Sequence, residues 1–377
     1  MESLIQDPSC MIQPQRLKKL LERMVDIYSP SGKEEELVEF LRGYLKRRGL
    51  PVTLQPVDEN RSNLLVIPPE TEVRLALVGH LDTVAAYEIE DYGYSETDGT
   101  VRGLGTADMK GGCAAMIEAY LSLWQSGRQR FPAALCLVVG EEEAGDGARQ
   151  LARQYHFPWV LIGEPTDLRP CLSHYGYVEL HVTTGGQRMH ASLAGRAQSA
   201  VEVLLNVLLS LSKDIQARHP ETTYNIRDLY SVHAGFAVPE YSEAWIDLHL
   251  PPSSPIGEIV TELEEGVAEQ KGRYPGVDVG VNVTTIDAGY ALPEKGRLID
   301  ALKTVYDRRG LLWAPEPFRS HSDANQLWAA GMKALILGPG RLEYAHAPQE
   351  EVPFEQVVLA SEIYAELMVE SCPESDG

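Results

Sequence analysis

The sequence predicts an α/β protein in which a mostly parallel-sheet domain is interrupted by an inserted α+β domain. Three observations support this prediction. Short, continuous apolar runs alternate with helical patterns up to about residue 172, and one more such run, "KALILGPG", occurs at 333–340. Between these regions, apolar and polar residues alternate strictly. The length of 377 residues is enough for two or three domains.

The apolar runs of the first region predict strands that are buried on both faces. They read "VRLALVGH", "ALCLVVG" and "WVLIGE", and helix-period segments such as "ADMKGGCAAMIEAYLSLW" lie between them. Continuous apolar strands separated by helices are typical of a parallel sheet covered on both sides. We therefore expect residues 1–173 and 293–377 to form one α/β domain.

The alternating segments predict a separate domain at 174–292. In "GYVELHV", Val178, Leu180 and Val182 share one side, as expected for a strand with one solvated face. The segments "EAWIDLHL" and "VDVGVNVTTI" alternate in the same way, and two helical patterns, "SAVEVLLNVLLSLSKDI" and "GEIVTELEEGVAEQ", intervene. The order strand, helix, strand, strand, helix, strand is the ferredoxin-like arrangement.

Composition narrows the class of protein. The hydrophobic content of 44% is ordinary for a globular protein, and no apolar stretch is long enough to span a membrane. The net charge of −22 argues against nucleic acid as a partner and favours a small-molecule substrate. Five cysteines without CxxC spacing, behind a start that lacks a secretory pattern, indicate reduced thiols in a cytoplasmic protein.

Potential metal ligands follow the predicted buried strands. In open α/β sheets, ligands bind beyond the carboxyl ends of the strands. The residues at or near these ends are His80, Asp82, Asp108, Glu141, Glu142, Glu143, Glu164 and His346. Histidine and carboxylate together suit zinc or a similar divalent ion, and a shared carboxylate allows two ions about 3.5–4 Å apart. Asp82 is expected to accept a hydrogen bond from the second ring nitrogen of His80.

Seven ordered motifs resemble those of one family. They are "GHLDTV", "GLGTADMKGG", "GEEEAGDGA", "GEPTD", "MHASL", "SHSDA" and "GPGRLEYAHAPQEEV". The family is that of the co-catalytic di-zinc metallopeptidases and deacylases, which includes acetylornithine deacetylase, succinyl-diaminopimelate desuccinylase, aminoacylase and glutamate carboxypeptidase. The motif "GEPT" is most similar to the acetylornithine deacetylase branch. The resemblance implies a zinc-peptidase-like catalytic domain and an inserted domain that serves as a lid and dimerisation domain.

The resemblance also implies roles for single residues. His80 and Glu164 would bind one ion, Glu143 and His346 the other, and Asp108 would bridge the two ions, which we expect to be zinc, with cobalt or manganese as alternatives. Glu142 would be the general base and Glu141 structural, whereas a shift of one residue would make the functional pair Glu141 and Glu142. His190 of the inserted domain would stabilise the oxyanion of the tetrahedral intermediate.

One position departs from the family pattern. Many relatives carry an arginine that binds the substrate carboxylate, and "IDLHLPP" has His249 at that position. Imidazole is a poorer carboxylate anchor than a guanidinium group. Either the substrate differs at this end, or another residue takes over, for which the candidates are Arg227, Arg319 and Arg341.

The sequence therefore predicts a metal-dependent hydrolase that removes the acyl group of an N-acyl amino acid. The alternative is a metallo-exopeptidase, either a dipeptidase or a glutamate-type carboxypeptidase. A catalytically inactive binding protein is a third hypothesis. The apolar stripe of Val203, Val207 and Leu211 fits either a homodimer interface or packing on the domain's own sheet.

Overall fold

The computed structural model describes residues 11–69, 71–86, 92–127, 131–196 and 198–370. It divides into two compact units. The first unit consists of Met1–Leu172, Leu292–Phe318 and Ser322–Gly377, and the second consists of Ser173–Ala291 and Arg319–His321.

Helices and strands alternate through the first unit, and strands dominate the second. The helices are α1 (Pro14–Asp26), α2 (Glu35–Lys46), α3 (Gly111–Gln125), α4 (Asp146–Gln154), α5 (Ala200–Arg218), α6 (Ile256–Arg273), α7 (Arg297–Arg308), α8 (Asp323–Ala329) and α9 (Phe354–Glu370). The strands are β1 (Val52–Pro56), β2 (Ser62–Val66), β3 (Leu75–His80), β4 (Ser95–Thr97), β5 (Thr100–Arg102), β6 (Ala133–Val138), β7 (Trp159–Ile162), β8 (Cys171–His174), β9 (Gly176–Gly185), β10 (Met189–His190), β11 (Thr223–Ser231), β12 (Ala237–Val238), β13 (Tyr241–Leu250), β14 (Asp278–Asp287), β15 (Tyr290–Ala291), β16 (Glu316–Phe318), β17 (Lys333–Ile336) and β18 (Glu351–Pro353).

The main sheet of the first unit has the order β1–β2–β6–β3–β7–β17–β8. Its central strands β6, β3, β7 and β17 are parallel, and β1, β2 and β8 add antiparallel pairings at the sides. Every residue of β3 and β6 is buried, which is the burial expected for strands covered on both faces. The prediction of an α/β fold around a mostly parallel sheet is confirmed.

The parallel register brings the carboxyl ends of the central strands to one edge. His80, the last residue of β3, pairs with Val138 at the end of β6, and Ile162 at the end of β7 pairs with Ile336 at the end of β17. Loops that leave these strands therefore start close together, although their residues are far apart in the chain.

Helix α3 begins beside this edge and is apolar nearly all round. Its residues from Gly111 to Leu123 are buried, and it packs against α1 and α9. A helix without a polar face must be enclosed by other elements, and α3 accordingly forms the interior of the first unit. Its amino-terminal end is thereby fixed next to Asp108.

The second unit has the ferredoxin-like arrangement predicted from the sequence. Strands β9, β11, β13 and β14 form an antiparallel sheet with the order β11–β13–β9–β14. The burial of β9 alternates residue by residue, so that Val178, Leu180 and Val182 face the core. Helices α5 and α6 supply the other side of that core.

The stripe of Val203, Val207 and Leu211 belongs to this core. The three side chains are 2%, 0% and 1% exposed and lie in one cluster with the apolar residues of β9 and β13. Of the two expectations for the stripe, packing on its own sheet is therefore the one that the structure shows. The exposed apolar residues of α5 are instead Leu205 and Leu209.

The thiols described by the structure are free and buried. They belong to Cys113, Cys136 and Cys171, whereas Cys10 and Cys372 lie outside the described residues. Among the described helices, none combines the length and apolar character needed to cross a membrane.

Candidate metal centre

The strand ends of the first unit carry a cluster of histidine and carboxylate side chains. His80 ends β3, Glu164 follows β7 after one glycine, and the segment Gly140–Gly145 follows β6. Asp108 lies in the segment Thr106–Lys110 that leads into α3. The sheet register thus places ligand-type side chains from separate parts of the chain at one edge, which we call the metal centre.

Asp108 lies between two histidines. Its Oδ1 is 3.1 Å from His80 Nε2, and its Oδ2 is 3.5 Å from His346 Nε2. His80 Nε2 is also 3.7 Å from Glu164 Oε1, and His346 Nε2 is 2.8 Å from Glu142 Oε2. One carboxylate with one oxygen directed to each histidine is the arrangement that a bridging ligand requires.

The glutamate run forms a turn, not an extended segment. The backbone N–H groups of Ala144 and Gly145 both donate to the carbonyl oxygen of Gly140, whose φ of +77° favours glycine. The turn directs Glu141 and Glu142 into the metal centre, with side chains 10% and 6% exposed. Glu143 is exposed on the outside of the turn.

This geometry corrects the predicted register. The assignment of Glu143 as ligand and Glu142 as base assumed that neighbouring side chains of an extended segment point in opposite directions. In the turn, Glu142 shares a group of closely spaced ligand atoms with His80 and Asp108, all within 4.8 Å of one another. Glu141 lies beside that group, with Oε2 3.9 Å from His80 Nε2.

Asp82 holds the turn in place. Its carboxylate accepts hydrogen bonds from the backbone N–H of Glu141 (3.2 Å) and of Glu142 (3.0 Å), and from the hydroxyl of Ser31 (2.6 Å). The predicted hydrogen bond between its carboxylate and His80 is wrong, because the Nδ1 of His80 lies 3.0 Å from the backbone carbonyl of Asp82 and 3.7 Å from Oδ1. Asp82 therefore positions both glutamates and orients His80 through its main chain.

Three more side chains support the metal centre and were not predicted from the sequence. They are Glu350, Glu34 and Arg61. The carboxylate of Glu350 accepts hydrogen bonds from the backbone N–H groups of Gly105, Ala107 and Asp108, which fixes the loop that carries Asp108. Glu350 follows His346 by four residues, so the motif "EYAHAPQEEV" contained this signal. Burial raises the pKa of Glu350 to about 7, against the lowering effect of these hydrogen bonds.

Arg61 and Glu34 lie behind the glutamate turn. The guanidinium of Arg61 forms ion pairs with Asp58 and with Asp146, the first residue of α4, and its Nη1 is 3.7 Å from Glu34 Oε1. A Cβ on Gly140 would collide with both Arg61 and Asp146. A larger residue at 140 would have to displace these two side-chain ends, and the φ of +77° favours glycine at this position. Burial, together with the negative charge of Asp82, raises the pKa of Glu34.

The metal centre holds more negative than positive groups. Burial and the negative charge of Asp108 raise the pKa of Glu164 to about 8, and they raise the pKa of Glu142 as well. Burial also raises the pKa of Glu141 well above its usual range, with Glu164 and Asp323 adding to the effect. Hydrogen bonding to Glu142 raises the pKa of His346 to about 9.

These residues fit divalent cations. Glu142 Oε1 and Glu164 Oε1 are buried and have no hydrogen-bond partner within the described part of the chain. Buried carboxylate oxygens without partners are costly unless a cation or a donor compensates them. Imidazole nitrogens and carboxylate oxygens are the donors that zinc and similar ions prefer. The donor set and the excess of carboxylates therefore agree with metal binding.

Two predicted functional residues lie in the second unit. His190 ends β10, is exposed, and has its Nδ1 2.8 Å from the hydroxyl of Ser192. His249 lies on β13 next to the ring of Tyr177, with 5.4 Å between ring centroids. Burial lowers the pKa of His249, and its Nδ1 has no partner within the described residues.

The candidate replacement arginines differ in how they are engaged. Arg227 lies 2.9 Å from carboxylate oxygens of Glu179 and Asp228 and 3.4 Å from Asp247. Arg341 is 3.7 Å from Asp167. Arg227 is therefore already compensated within its own unit, which weakens its case as an anchor for a substrate carboxylate.

A cluster of histidines and mostly buried acids at the carboxyl edge of a parallel sheet has the donor set of a divalent-metal site. Comparison with known proteins agrees. Residues 76–370 match Peptidase family M20/M25/M40. The chain belongs to this family, whose peptidases and deacetylases hydrolyse amide bonds, and it is an enzyme of that type.

The relatives in sequence include acetylornithine deacetylases, and the similar solved structures include peptidases. The chain is 28% identical to acetylornithine deacetylase of Edwardsiella ictaluri over 90% of this chain and 91% of that protein. It is 26% identical to acetylornithine deacetylase of Photorhabdus laumondii with the same coverage. Aminopeptidase PepT from Bacillus cereus shares the fold with a TM-score of 0.74 at 21% identity, covering 96% of this chain and 99% of that one. Human carnosine dipeptidase 1 does so with a TM-score of 0.77 at 14% identity, covering 98% of each chain.

Proposed function

We propose that this protein is a deacylase that hydrolyses the amide bond of a small N-acyl amino acid. The observation that carries the proposal is the cluster of His80, Asp108, Glu142, Glu164 and His346 with Glu141 beside it. Matching relatives over nine-tenths of the chain are acetylornithine deacetylases, which favours an N-acyl amino acid as the substrate class.

Two divalent ions would be held by this cluster, and we assign them as zinc, with cobalt or manganese as substitutes. His80 and Glu164 would bind one ion, Glu142 and His346 the other, and Asp108 both. When bound, such ions polarise an amide carbonyl and lower the pKa of water. The contacts of Asp108 with both histidines support this assignment.

Glu141 would be the general base. Its carboxylate would accept a proton from the attacking water and deliver it to the nitrogen of the leaving amine, so that one group serves both halves of the reaction. Two features support this role. Glu141 lies beside the ligand group without belonging to it, and the hydrogen bond from its own N–H to Asp82 fixes its backbone.

The same substitution at two neighbouring glutamates tests whether Glu141 is the general base. In Glu141→Gln we expect turnover to fall about 10²–10⁴-fold, the range attributed to a general base, with the metal content unchanged. Glu143→Gln makes the same chemical change on the exposed side of the turn and should retain wild-type turnover. Loss of activity in Glu143→Gln with retention in Glu141→Gln would contradict the assignment.

An exopeptidase is the second candidate function, and His249 weakens the case for acetylornithine itself as the substrate. Burial lowers the pKa of this imidazole, so it is neutral near pH 7 and attracts a substrate carboxylate less than the arginine of many relatives would. The specificity at this end is therefore expected to differ from that of a plain acetylornithine deacetylase. N-acetyl and N-succinyl amino acids, their carboxamides and dipeptides, assayed side by side, separate the two functions by their kcat/KM values.

The second unit would act as a lid and as the dimerisation domain. Strand β11 is at the edge of its sheet and exposes Ile226, Leu229 and Tyr230. On helix α5, Leu205 and Leu209 are 43% and 57% exposed. An unpaired strand with apolar side chains is suited to pairing with a second copy. His190 would stabilise the oxyanion of the tetrahedral intermediate, either within one chain or across the dimer.

We also assign the enzyme to the cytoplasm and to amino-acid metabolism. The free, buried thiols of Cys113, Cys136 and Cys171 fit a reducing compartment. Subcellular fractionation of the source cells, with detection by an antibody against the protein, would test the compartment. Recovery of the protein outside the cytoplasm would contradict the assignment.

A further inference from the structure

A groove between α1 and α2 carries a concentration of positive charge that the metal centre does not use. The groove has a volume of about 380 Å³. Its charged and aromatic lining consists of Arg16, Lys19, Arg23, Arg48, Phe40 and Tyr44, and we call it the basic groove. Four cations around one groove are unexpected in a chain with a net charge of −22.

Only one of these cations is compensated by an acid among the described residues. Arg16 forms a 2.7 Å ion pair with the fully buried Glu118. Lys19, Arg23 and Arg48 form no ion pair with any carboxylate that the structure describes. The basic groove therefore has about three positive charges without a negative partner.

Two of the guanidinium groups lie over aromatic rings. The Cζ of Arg48 lies 3.5 Å from the ring centroid of Tyr44, and its Nη1 donates a 2.9 Å hydrogen bond to the carbonyl oxygen of Tyr44. The Cζ of Arg23 is 5.8 Å from the ring centroid of Phe40. Stacked guanidinium groups lose less freedom on binding than free ones, and their N–H forks match the oxygens of phosphate and carboxylate groups.

The hydroxyl of Tyr44 is the second indication of a ligand. Tyr44 is 9% exposed, and its Oη is buried without a hydrogen-bond partner in the described chain. Burial raises the pKa of Tyr44, the positive charges of Arg48 and Arg16 act to lower it, and the negative charge of Glu118 acts to raise it. A buried hydroxyl without an acceptor is costly, and an oxyanion would supply that acceptor.

We propose that the basic groove binds a small dianionic ligand, with Lys19, Arg23, Arg48 and the hydroxyl of Tyr44 as its donors. The excess of about three positive charges suits a ligand with two negative charges better than a single carboxylate. A phosphate group and a dicarboxylate share this chemistry. The site is separate from the metal centre, since none of its residues belongs to the strand ends that carry the metal ligands.

Titration calorimetry of the metal-loaded, full-length protein tests the proposal. Inorganic phosphate and glutarate are the two dianionic probes, acetate is the monoanionic control, and all are compared at the same ionic strength. We expect a saturable binding event with phosphate, glutarate or both, and which of the two binds more tightly identifies the class of ligand. A response no greater with both dianions than with acetate would overturn the proposal.

Variants separate this event from anion binding at the metal centre. Arg23→Met and Arg48→Met should each lower the affinity of the basic groove for the dianion at least tenfold, and Tyr44→Phe should lower it severalfold. Arg47→Met removes the same charge from an exposed position next to Arg48, outside the groove lining, and should bind like the wild type. Circular dichroism and turnover check that each variant is folded. If Arg48→Met does not fold, Arg23→Met and Tyr44→Phe are enough to test the basic groove. Equal binding by all variants would place the anion elsewhere and contradict the proposal.

Discussion

The metal centre and the basic groove are opposite in charge and are built in different ways. The metal centre collects acids from the segments that follow β3, β6 and β7 and from the loop before α3, buries most of their surface, and ties two of its loops to Asp82 and Glu350 by backbone hydrogen bonds. The basic groove collects Arg16, Lys19 and Arg23 from α1 and Arg48 from the turn after α2, and Lys19 and Arg23 are exposed.

This difference determines how strongly each site should depend on its ligand. Charges that are buried and unpaired are costly, so cation binding at the metal centre should strongly affect both activity and stability. Exposed charges are well solvated and screened by salt. Anion binding at the basic groove should therefore be weaker and should decrease as ionic strength rises.

The largest effect is expected from the bridging carboxylate of the metal centre. Asp108→Asn removes the negative charge that lies between His80 and His346. We expect turnover to fall by about 10³-fold or more, since Lewis-acid stabilisation contributes several kcal/mol, and the bound metal to fall below two ions per chain. Metal analysis after dialysis, together with initial rates, measures both. A variant that retains two ions would show that Asp108 does not bridge them.

A somewhat smaller effect is expected at His190, which lies in the other unit. If it stabilises the oxyanion, His190→Ala should lower kcat by about 10²–10³-fold, the cost of removing one such donor, without changing the metal content. Mixing this variant with Glu141→Gln and allowing subunits to exchange then tests the dimer. Recovered activity indicates that the histidine acts across the interface. No loss of kcat in His190→Ala would exclude the role altogether.

The ion pairs of Arg61 behind the glutamate turn should affect the free energy of unfolding more than the turnover. Arg61→Met leaves the fully buried Glu34 and the Asp146 carboxylate without their guanidinium partner. We expect a loss of about 1.5–3 kcal/mol in the free energy of unfolding, the contribution of hydrogen bonds to charged groups, because the substitution removes the hydrogen bonds from Arg61 to Asp146 and the positive charge beside buried Glu34. Urea titration measures it. Arg42→Met removes an arginine from an exposed pair with Glu39 and should change stability by less than about 0.5 kcal/mol. Equal effects of the two substitutions would contradict a supporting role for Arg61.

The second unit provides an effect that is small near pH 7 and grows only as the pH falls, a dependence of stability on pH. His174 is fully buried, and burial lowers its pKa to about 3, from about 6.5 in an unfolded chain. Between these pH values the folded state binds fewer protons, so stability is lost as pH falls, by about 1.4 kcal/mol per pH unit from this group. His174→Gln should show a shallower slope than the wild type, and His233→Gln, at an exposed histidine, should leave the slope unchanged. Identical slopes in all three proteins would show that His174 does not stay neutral.

The comparison between sites also shows what the sequence could predict. Uninterrupted apolar runs predicted the buried parallel strands, and the rule that ligands bind at their carboxyl ends then brought together residues as distant as His80 and His346. The same reasoning applies to the second unit, where strict alternation in "GYVELHV" indicated a sheet with one covered face. In each case the periodicity of a single segment carried the information.

The register of the glutamates could not be found in this way. It depends on a turn at Gly140–Gly145 and on hydrogen bonds from Glu141 and Glu142 to Asp82, which lies 59 and 60 residues away in the chain. The basic groove depends likewise on the tertiary arrangement that brings Arg16 of α1 and Arg48, which follows α2, to the lining of one groove. Contacts of this kind leave no periodic pattern in the sequence. For the same reason, the sequence did not assign Arg319–His321 to the second unit.

The central claim is that paired cations lie among five side chains gathered from distant parts of the chain, with Glu142 and not Glu143 as a ligand. A crystal of the zinc-loaded protein, measured at the zinc absorption edge, tests it most directly. We predict two anomalous peaks per chain, about 3.5–4 Å apart as in other two-metal sites, one beside His80 and Glu164 and one beside Glu142 and His346, with Asp108 contacting both. A peak coordinated by Glu143, or no peak at this sheet edge, would contradict the account.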